Sequence, residues 1–190
     1  DATYEDGVLA GTGCEGIVCA MTAGARQRSV FPPDPAVEPG QNILISGGGR
    51  CNFTNLHCRP ENFISDNRHF CKSALARYTQ HDFIALVDKY RIPWHEKTLG
   101  QLFCDTSAKD IVNMLLVECK AAQVDVRLSH SISDITRNDQ FTVTTNHGAF
   151  TSDSLVLAAG GLSIPKMGAT GFAHDIAKKF GLEVVNVQPG

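Results

Sequence analysis

An apolar run, Val8-Leu9-Ala10, breaks into Gly11-Thr12-Gly13-Cys14-Glu15-Gly16, and Ile17 to Ala25 then reads as a helix of small residues. A strand that turns through glycines into a helix is the feature that most narrows the fold. The glycines permit a tight turn and let a pyrophosphate approach the helix N-terminus, where backbone N–H groups and the helix dipole favour an anion. Asp34 lies 18 residues beyond Gly16, where the second strand of a βαβ unit should end and a carboxylate can accept from ribose hydroxyls. The spacing alone decides little: with 17 glycines in 190 residues, Gly11-x-Gly13-x-x-Gly16 arises by chance in about one such chain in eight. A glycine-rich surface turn with an unrelated aspartate is the competing reading.

The rest of the chain alternates between strand and helix patterns, which means an α/β fold: a doubly wound, Rossmann-like sheet. Ser29-Val30-Phe31 reads as a second strand, kept short by Pro32, Pro33, Pro35 and Pro39. Asn42 to Ser46 is a short apolar run read as a strand, ending in Gly47-Gly48-Gly49. Thr79 with Asp82, and Ser107 with Asp110, have the spacing of reciprocal helix caps before apolar stripes. Three strand-like pieces follow, at 124–128, 131–136 and 141–145, with a turn at Asn146-His147-Gly148. Without helices between them they suggest a small antiparallel layer, 124–150, inserted into the main sheet. Leu155 to Ala159 is continuously apolar, the pattern of a parallel strand buried on both faces, and ends in Gly160-Gly161. A helix near 171–180 and a strand near 183–187 complete the expected order, with a dinucleotide unit at 1–56, a helical segment at 67–123 and a return to the main sheet at 152–190.

Two further segments could meet a ligand. In Ser46-Gly47-Gly48-Gly49-Arg50-Cys51-Asn52 the glycines can turn successive N–H groups toward one anion. Arg50 adds a fork for phosphate or carboxylate, and Asn52 offers donor and acceptor to the edge of a heteroaromatic ring. The alternative is a flexible linker with a solvated arginine. Ala158-Ala159-Gly160-Gly161 stands at the end of a strand, where α/β sheets bind ligands, unless it merely terminates that strand.

Composition excludes several classes. With 17 Lys and Arg against 20 Asp and Glu the net charge is -3, which argues against binding nucleic acid by phosphate neutralisation. No apolar run reaches membrane-spanning length, and Asp1 to Gly7, with Glu5 and Asp6, lacks the basic start of a signal peptide. The seven cysteines form no Cys-x-x-Cys pair and are odd in number, so reduced thiols in a cytoplasmic protein are expected rather than disulfides or zinc. Cys51 is the one thiol beside an arginine and the glycines, where its pKa could fall, but a redox role there is the lesser reading.

The run Asn42-Ile43-Leu44-Ile45-Ser46-Gly47-Gly48-Gly49-Arg50-Cys51-Asn52-Phe53-Thr54-Asn55 resembles the hallmark of the BaiN-like flavoproteins, a family of FAD-dependent oxidoreductases, linked to NAD(P), that includes aminoacetone oxidase. The resemblance continues through Lys97-Thr98-Leu99-Gly100-Gln101-Leu102-Phe103-Cys104 and Gly160-Gly161-Leu162-Ser163-Ile164-Pro165-Lys166-Met167-Gly168, covering about 43–185. It implies that Gly11, Gly13 and Gly16 form the FAD pyrophosphate loop and that Asp34 holds the adenosine ribose. It further implies that Gly47, Gly48, Gly49, Arg50, Cys51 and Asn52 lie along the pyrophosphate and flavin, that Val126 meets adenine through its backbone, and that Ala159 and Gly160 flank the cofactor. The departures are Thr3 to Gly7 in place of an apolar first strand, the prolines in the second, Gln41-Asn42 in place of a basic pair, and Ala159 in place of threonine.

The expectation is the FAD-binding half of a flavoprotein oxidoreductase that takes hydride from NAD(P)H or from a small amine or carbon donor. No catalytic base is assigned and no metal is expected. Expected partners are a small-molecule substrate and the remaining half of the family's chain, or a second copy; nucleic acid and membrane are not. The alternative is a nucleotide-binding module, or degenerate copy, that folds without flavin.

Overall fold

The computed structural model describes residues 2–11, 13–161 and 171–186. The chain divides into two compact units, one made of Asp1–Asn42 with Leu115–Pro189 and the other of Ile43–Met114.

The first unit is a five-stranded sheet. Strand β1 (Thr3–Ala10) leads into helix α1 (Cys14–Ala25) and a two-residue strand β2 (Val30–Phe31); the sheet is completed by β6 (Ile132–Arg137), β7 (Phe141–Thr145) and β8 (Gly148–Leu157), in the order β2-β1-β8-β7-β6. β1 runs parallel to both neighbours, and β8, β7 and β6 form an antiparallel meander. The expected antiparallel layer is therefore present as a continuation of the main sheet through β8.

β1 is longer than its apolar run suggests. It pairs with β8 from Thr3 opposite Phe150 to Ala10 opposite Leu157. Backbone pairing needs no apolar side chains at the exposed end, and the polar ones find partners. The Tyr4 hydroxyl donates to Asp153 at 2.9 Å, and the Asp6 carboxylate accepts from the Ser29 N–H at 2.9 Å. β2 stops at the prolines, which cannot supply ladder donors. The chain nonetheless continues beside segment 124–128 through a parallel bridge between Pro33 and Arg127. That bridge is all that forms where a strand at 124–128 was expected.

The core is a cluster with one buried side chain from each strand: Phe31, Val8, Phe150, Val143 and Ile135. Phe31 and Phe150 stack at 3.7 Å. Helix α6 (Phe172–Lys179) adds Ile176 to the cluster, and Phe172 and Phe180 pack against it. On α1 the buried positions are Gly16, Ile17, Ala20 and Gly24. Two expectations fail here. Leu155–Ala159 is not buried on both faces, since Leu155 and Leu157 turn to the core while Val156 is 39% exposed. Residues 182–186 form no strand, and residue 187 lies outside the described residues.

The second unit holds an antiparallel sheet of order β3-β5-β4, from β3 (Asn52–Asn55), β4 (Trp94–Glu96) and β5 (Gln101–Cys104), of which β4 and β5 fall in the span expected to be helical. Helices α3 (Lys72–Arg77) and α4 (Gln80–Lys89) lie between β3 and β4, and α5 (Ala108–Ala121) follows β5. The expected cap of α4 forms in full: the Asp82 N–H donates to the Thr79 hydroxyl and the Thr79 N–H to the Asp82 carboxylate at 2.7 Å. α5 is capped differently, with the Lys109 N–H donating to the Ser107 hydroxyl at 3.2 Å and the Thr106 hydroxyl donating to Asp110. Asn42–Ser46 is not a strand. Gln41–Ile45 is a short helix, α2, and Ser46–Gly49 continues as a 3-10 turn. Among the described residues no helix is long and apolar enough to cross a membrane.

Candidate functional site

The loop between β1 and α1 is built by exclusion of side chains. Gly11 has φ +112°, and a Cβ there would fall on the carbonyl of Ala158, 2.7 Å from its carbon. A Cβ on Gly16 would fall on the carbonyl oxygen of Gly11, its carbon 2.9 Å away. These two glycines let the loop press against the end of β8 and the first turn of α1 press against the loop. Gly13 is the N-cap of α1, its carbonyl accepting from the Ile17 N–H at 3.0 Å. On the far side Gly160, at φ +69°, directs the chain away from β8.

Asp34 arrives through the short bridge beyond β2. Its N–H donates to the Arg127 carbonyl at 3.0 Å and its carbonyl accepts from the His130 N–H at 2.8 Å. One carboxylate oxygen accepts from the Ala36 N–H at 2.7 Å, closing an Asx turn. The prolines that shorten β2 thus do not misplace the acid.

These pieces surround one cavity of about 490 Å³, within the range of small-molecule sites. Gly11, Gly13, Asp34, Ala159 and Gly160 line it. Gly16 and Val126 do not; Gly16 acts one layer behind, under Gly11, and Val126 stands next to the Pro33–Arg127 bridge. Gln41 and Asn42 line it as well, so the positions where the resemblance expects bases are neutral. Among the lining residues that sequence reasoning did not single out are Glu15, Ala36, Ser131, Ile132 and Phe172. Glu15 was legible: it is the charged residue inside the glycine pattern itself.

The donor set suits a dinucleotide. Backbone unmasked by glycine meets the N-terminus of α1, and an acid stands at the end of the second strand. One group opposes it. The Glu15 side chain folds back over the N-cap, so that a Cβ on Gly13 would lie 3.1 Å from one carboxylate oxygen and a Cβ on Gly160 would lie 3.7 Å from the other.

The glycine run of the second unit is a separate construction. Gly47, Gly48 and Gly49 have φ of +60°, +69° and +88°, and Cys51 has φ +51°. The positive φ expected of an N–H nest is present. The Cys51 N–H donates to the Ser46 carbonyl and the Cys104 N–H to the Arg50 carbonyl, both at 3.0 Å, tying the run to β5. A Cβ on Gly47 would lie 2.6 Å from the Phe103 ring, whereas one on Gly48 would meet nothing within 4 Å. Arg50 and Asn52 are exposed and Cys51 is buried, which removes its thiol from solvent. No cysteine forms a disulfide. Burial first, then the charges of Asp110 and Asp105, pushes the neighbouring Cys104 thiol up to about 11.

Comparison with known proteins agrees with this architecture. The Rossmann-domain model of the HI0933-like proteins matches residues 5–190. A ribosomal RNA dihydrouridine synthase of Escherichia coli is 48% identical over 97% of this chain and 46% of its own length. Its namesake in Haemophilus influenzae is 43% identical over 96% of this chain and 47% of its own length. A 3-dehydro-bile acid delta(4,6)-reductase of Clostridium scindens is 22% identical over 95% of this chain and 45% of its own. The chain therefore spans about half the length of the curated relatives it matches. The fold recurs in the 3-ketosteroid-delta4-(5alpha)-dehydrogenase of Rhodococcus jostii, at TM-score 0.60 and 13% identity, covering 85% of this chain and 47% of that one. It recurs also in a flavocytochrome c3 fumarate reductase, at TM-score 0.58 and 17% identity, covering 93% and 40%. With a family model matched along nearly its whole length, the chain belongs to the HI0933-like proteins and carries their Rossmann domain.

Proposed function

We propose that this chain is the FAD-binding half of a flavoprotein reductase whose substrate is uridine in ribosomal RNA. The observation that carries the cofactor is the cavity at the carboxyl ends of β1 and β8, where Gly11 and Gly160 bare the backbone and the acid Asp34 joins the lining. FAD, when bound, would accept a hydride from NAD(P)H and deliver it to a carbon of the substrate. The chain's own residues would bind and orient. Gly11 and Gly16 would hold the N-terminus of α1 toward the diphosphate and Asp34 would accept from the adenosine ribose, while a role for Gly47 to Asn52 rests on the resemblance alone.

The substrate class rests on the two relatives at 48% and 43% identity. It is favoured over small carbon donors of the bile-acid reductase kind, where the likeness falls to 22%. Reduction of uridine to dihydrouridine adds one hydride and one proton across a carbon–carbon double bond, so a single reduced flavin balances each turnover. The net charge of -3 disfavours phosphate neutralisation by these 190 residues. On this reading the rest of the protein grips the RNA, and the protein works in the cytoplasm, where ribosomal RNA is found. A second reading, a nucleotide-binding module that does not retain flavin, is favoured by Glu15 and by the neutral Gln41 and Asn42 in the cavity.

The test has two parts. The complete protein should purify yellow, with flavin absorbance near 450 nm that bleaches on anaerobic addition of NADPH or NADH. Ribosomal RNA from cells lacking the gene should lose dihydrouridine at a site restored by the wild-type copy. A colourless protein that takes up no added FAD overturns the first reading in favour of the second. A yellow protein whose deletion leaves ribosomal dihydrouridine unchanged overturns the RNA substrate alone.

A further inference from the structure

The cavity at the N-terminus of α1 is lined by two charged side chains among the described residues, and both are acids, Glu15 and Asp34. They are not equivalent. Asp34 is buried and bound into its own turn, with an oxygen on the Ala36 N–H. Glu15 occupies the second position of α1, and its carboxylate lies over Gly13 and toward Gly160, between the two glycine turns that face the cavity. The structure gives it no hydrogen bond or ion pair with a described side chain. Its location has a simple cause: the first turn of a helix attracts negative charge, and Glu15 supplies that charge from within the chain. A diphosphate is drawn to the same place for the same reason.

We propose that Glu15 is a built-in competitor for the diphosphate, and so sets the ligand preference of this cavity: a nucleoside is accepted in full, while a nucleotide bearing a diphosphate binds only by displacing the carboxylate or enduring its charge. The inference rests on the FAD reading and deepens it. Arg and Lys are absent from the described lining, and Gln41 and Asn42 are neutral, so no described side chain there offsets the repulsion. The carboxylate is attached through a flexible stem and can swing aside. FAD therefore loads against a charge penalty rather than a steric block.

The experiment compares the complete wild-type protein with Glu15→Gln, which keeps the shape and removes the charge, and Glu15→Ala, which removes both. Binding of FAD, ADP and adenosine is measured by calorimetry, with a thermal melt to confirm folding. A unit charge a few ångströms from a diphosphate at a partly solvated site should shift affinity by about tenfold. FAD and ADP should both bind about that much more tightly to the two variants, with adenosine unchanged within about twofold. FAD bound equally by all three proteins would overturn the inference and leave the FAD reading standing. An equal gain for adenosine would also overturn it, showing that Glu15 acts through shape or folding. Folded variants that bind adenosine but neither ADP nor FAD would overturn both the inference and the flavin reading.

Discussion

The two glycine clusters are glycine for different reasons. At Gly11 and Gly16 the space a Cβ would need is already filled by backbone, by the Ala158 carbonyl in one case and the Gly11 carbonyl in the other. At Gly48 the space is open and only the φ of +69° asks for glycine. The first cluster is packed from behind and defines where α1 sits on its sheet. The second is held by its own backbone hydrogen bonds and leaves its middle residue facing outward. Steric necessity and conformational necessity look alike in a sequence, yet substitution should expose them by very different amounts.

The largest effect should come from Gly16. Gly16→Val forces two carbon atoms more than a Cβ into the contact with Gly11, and neither partner is a side chain that can rotate away. A loss of about 3 kcal/mol, the upper end for overpacking, is expected in a denaturant melt. Gly13→Ala is the internal control. Its φ of -60° suits alanine and its Cβ would meet only the movable Glu15 carboxylate. It should cost less than about 1 kcal/mol, as for a modest N-cap change. Equal losses at the two positions would mean that the α1 turn is not set by the Gly11–Gly16 contact.

Gly48→Val sharpens the other side. With no atom within 4 Å to clash, the cost to folding is backbone strain alone, about 1–3 kcal/mol for a β-branched residue held at positive φ. Flavin binding should be lost while the circular dichroism spectrum stays native. FAD affinity within about threefold of the parent, roughly 0.6 kcal/mol, would remove Gly47–Asn52 from the cofactor site.

The sequence was most legible where local chemistry decides structure by itself. The Thr79–Asp82 cap needs four residues and no tertiary context, and β7 was found with its bounds because Phe141, Val143 and Thr145 alternate. It was least legible where a neighbour decides. Asn42–Ser46 is a short apolar run that periodicity cannot assign, and it folds as a helix. The segment 124–128 has strand composition but only the proline-interrupted end of β2 beside it, so one bridge forms. β1 was undervalued because Glu5 and Asp6 look unlike a buried strand, although the β8 backbone pairs with the whole of it. In the site, Gly11, Gly13, Asp34, Ala159 and Gly160 were found by spacing and position at strand ends. Glu15 was passed over because the pattern draws the eye to glycines, and what matters is the charge placed between them.

The smallest expected effect separates the units by acid. Carboxyls held below their ordinary range include Asp82 in the second unit, by the Thr79 hydroxyl and N–H, Asp134 in the first, by Lys179 and the Ile135 N–H, and Asp153, also in the first, by Gln140 and Tyr4. A folded-state value below the unfolded one means stability that is fully present above about pH 4 and is lost as pH falls through the folded value. All three groups are solvent-exposed, so each contribution is modest and screened by salt. Asp134→Asn should therefore lower the melting temperature at pH 6, where the Lys179 contact at 2.6 Å is intact, and the gap to the parent should close toward pH 3. Asp82→Asn should behave alike through loss of the cap on α4. Melts followed by tryptophan fluorescence report the second unit, because Trp94, the chain's one tryptophan, lies in β4. If Asp134→Asn shifts the Trp94 melt as much as Asp82→Asn does, the two units unfold as one cooperative body, and their separate glycine designs share a single stability.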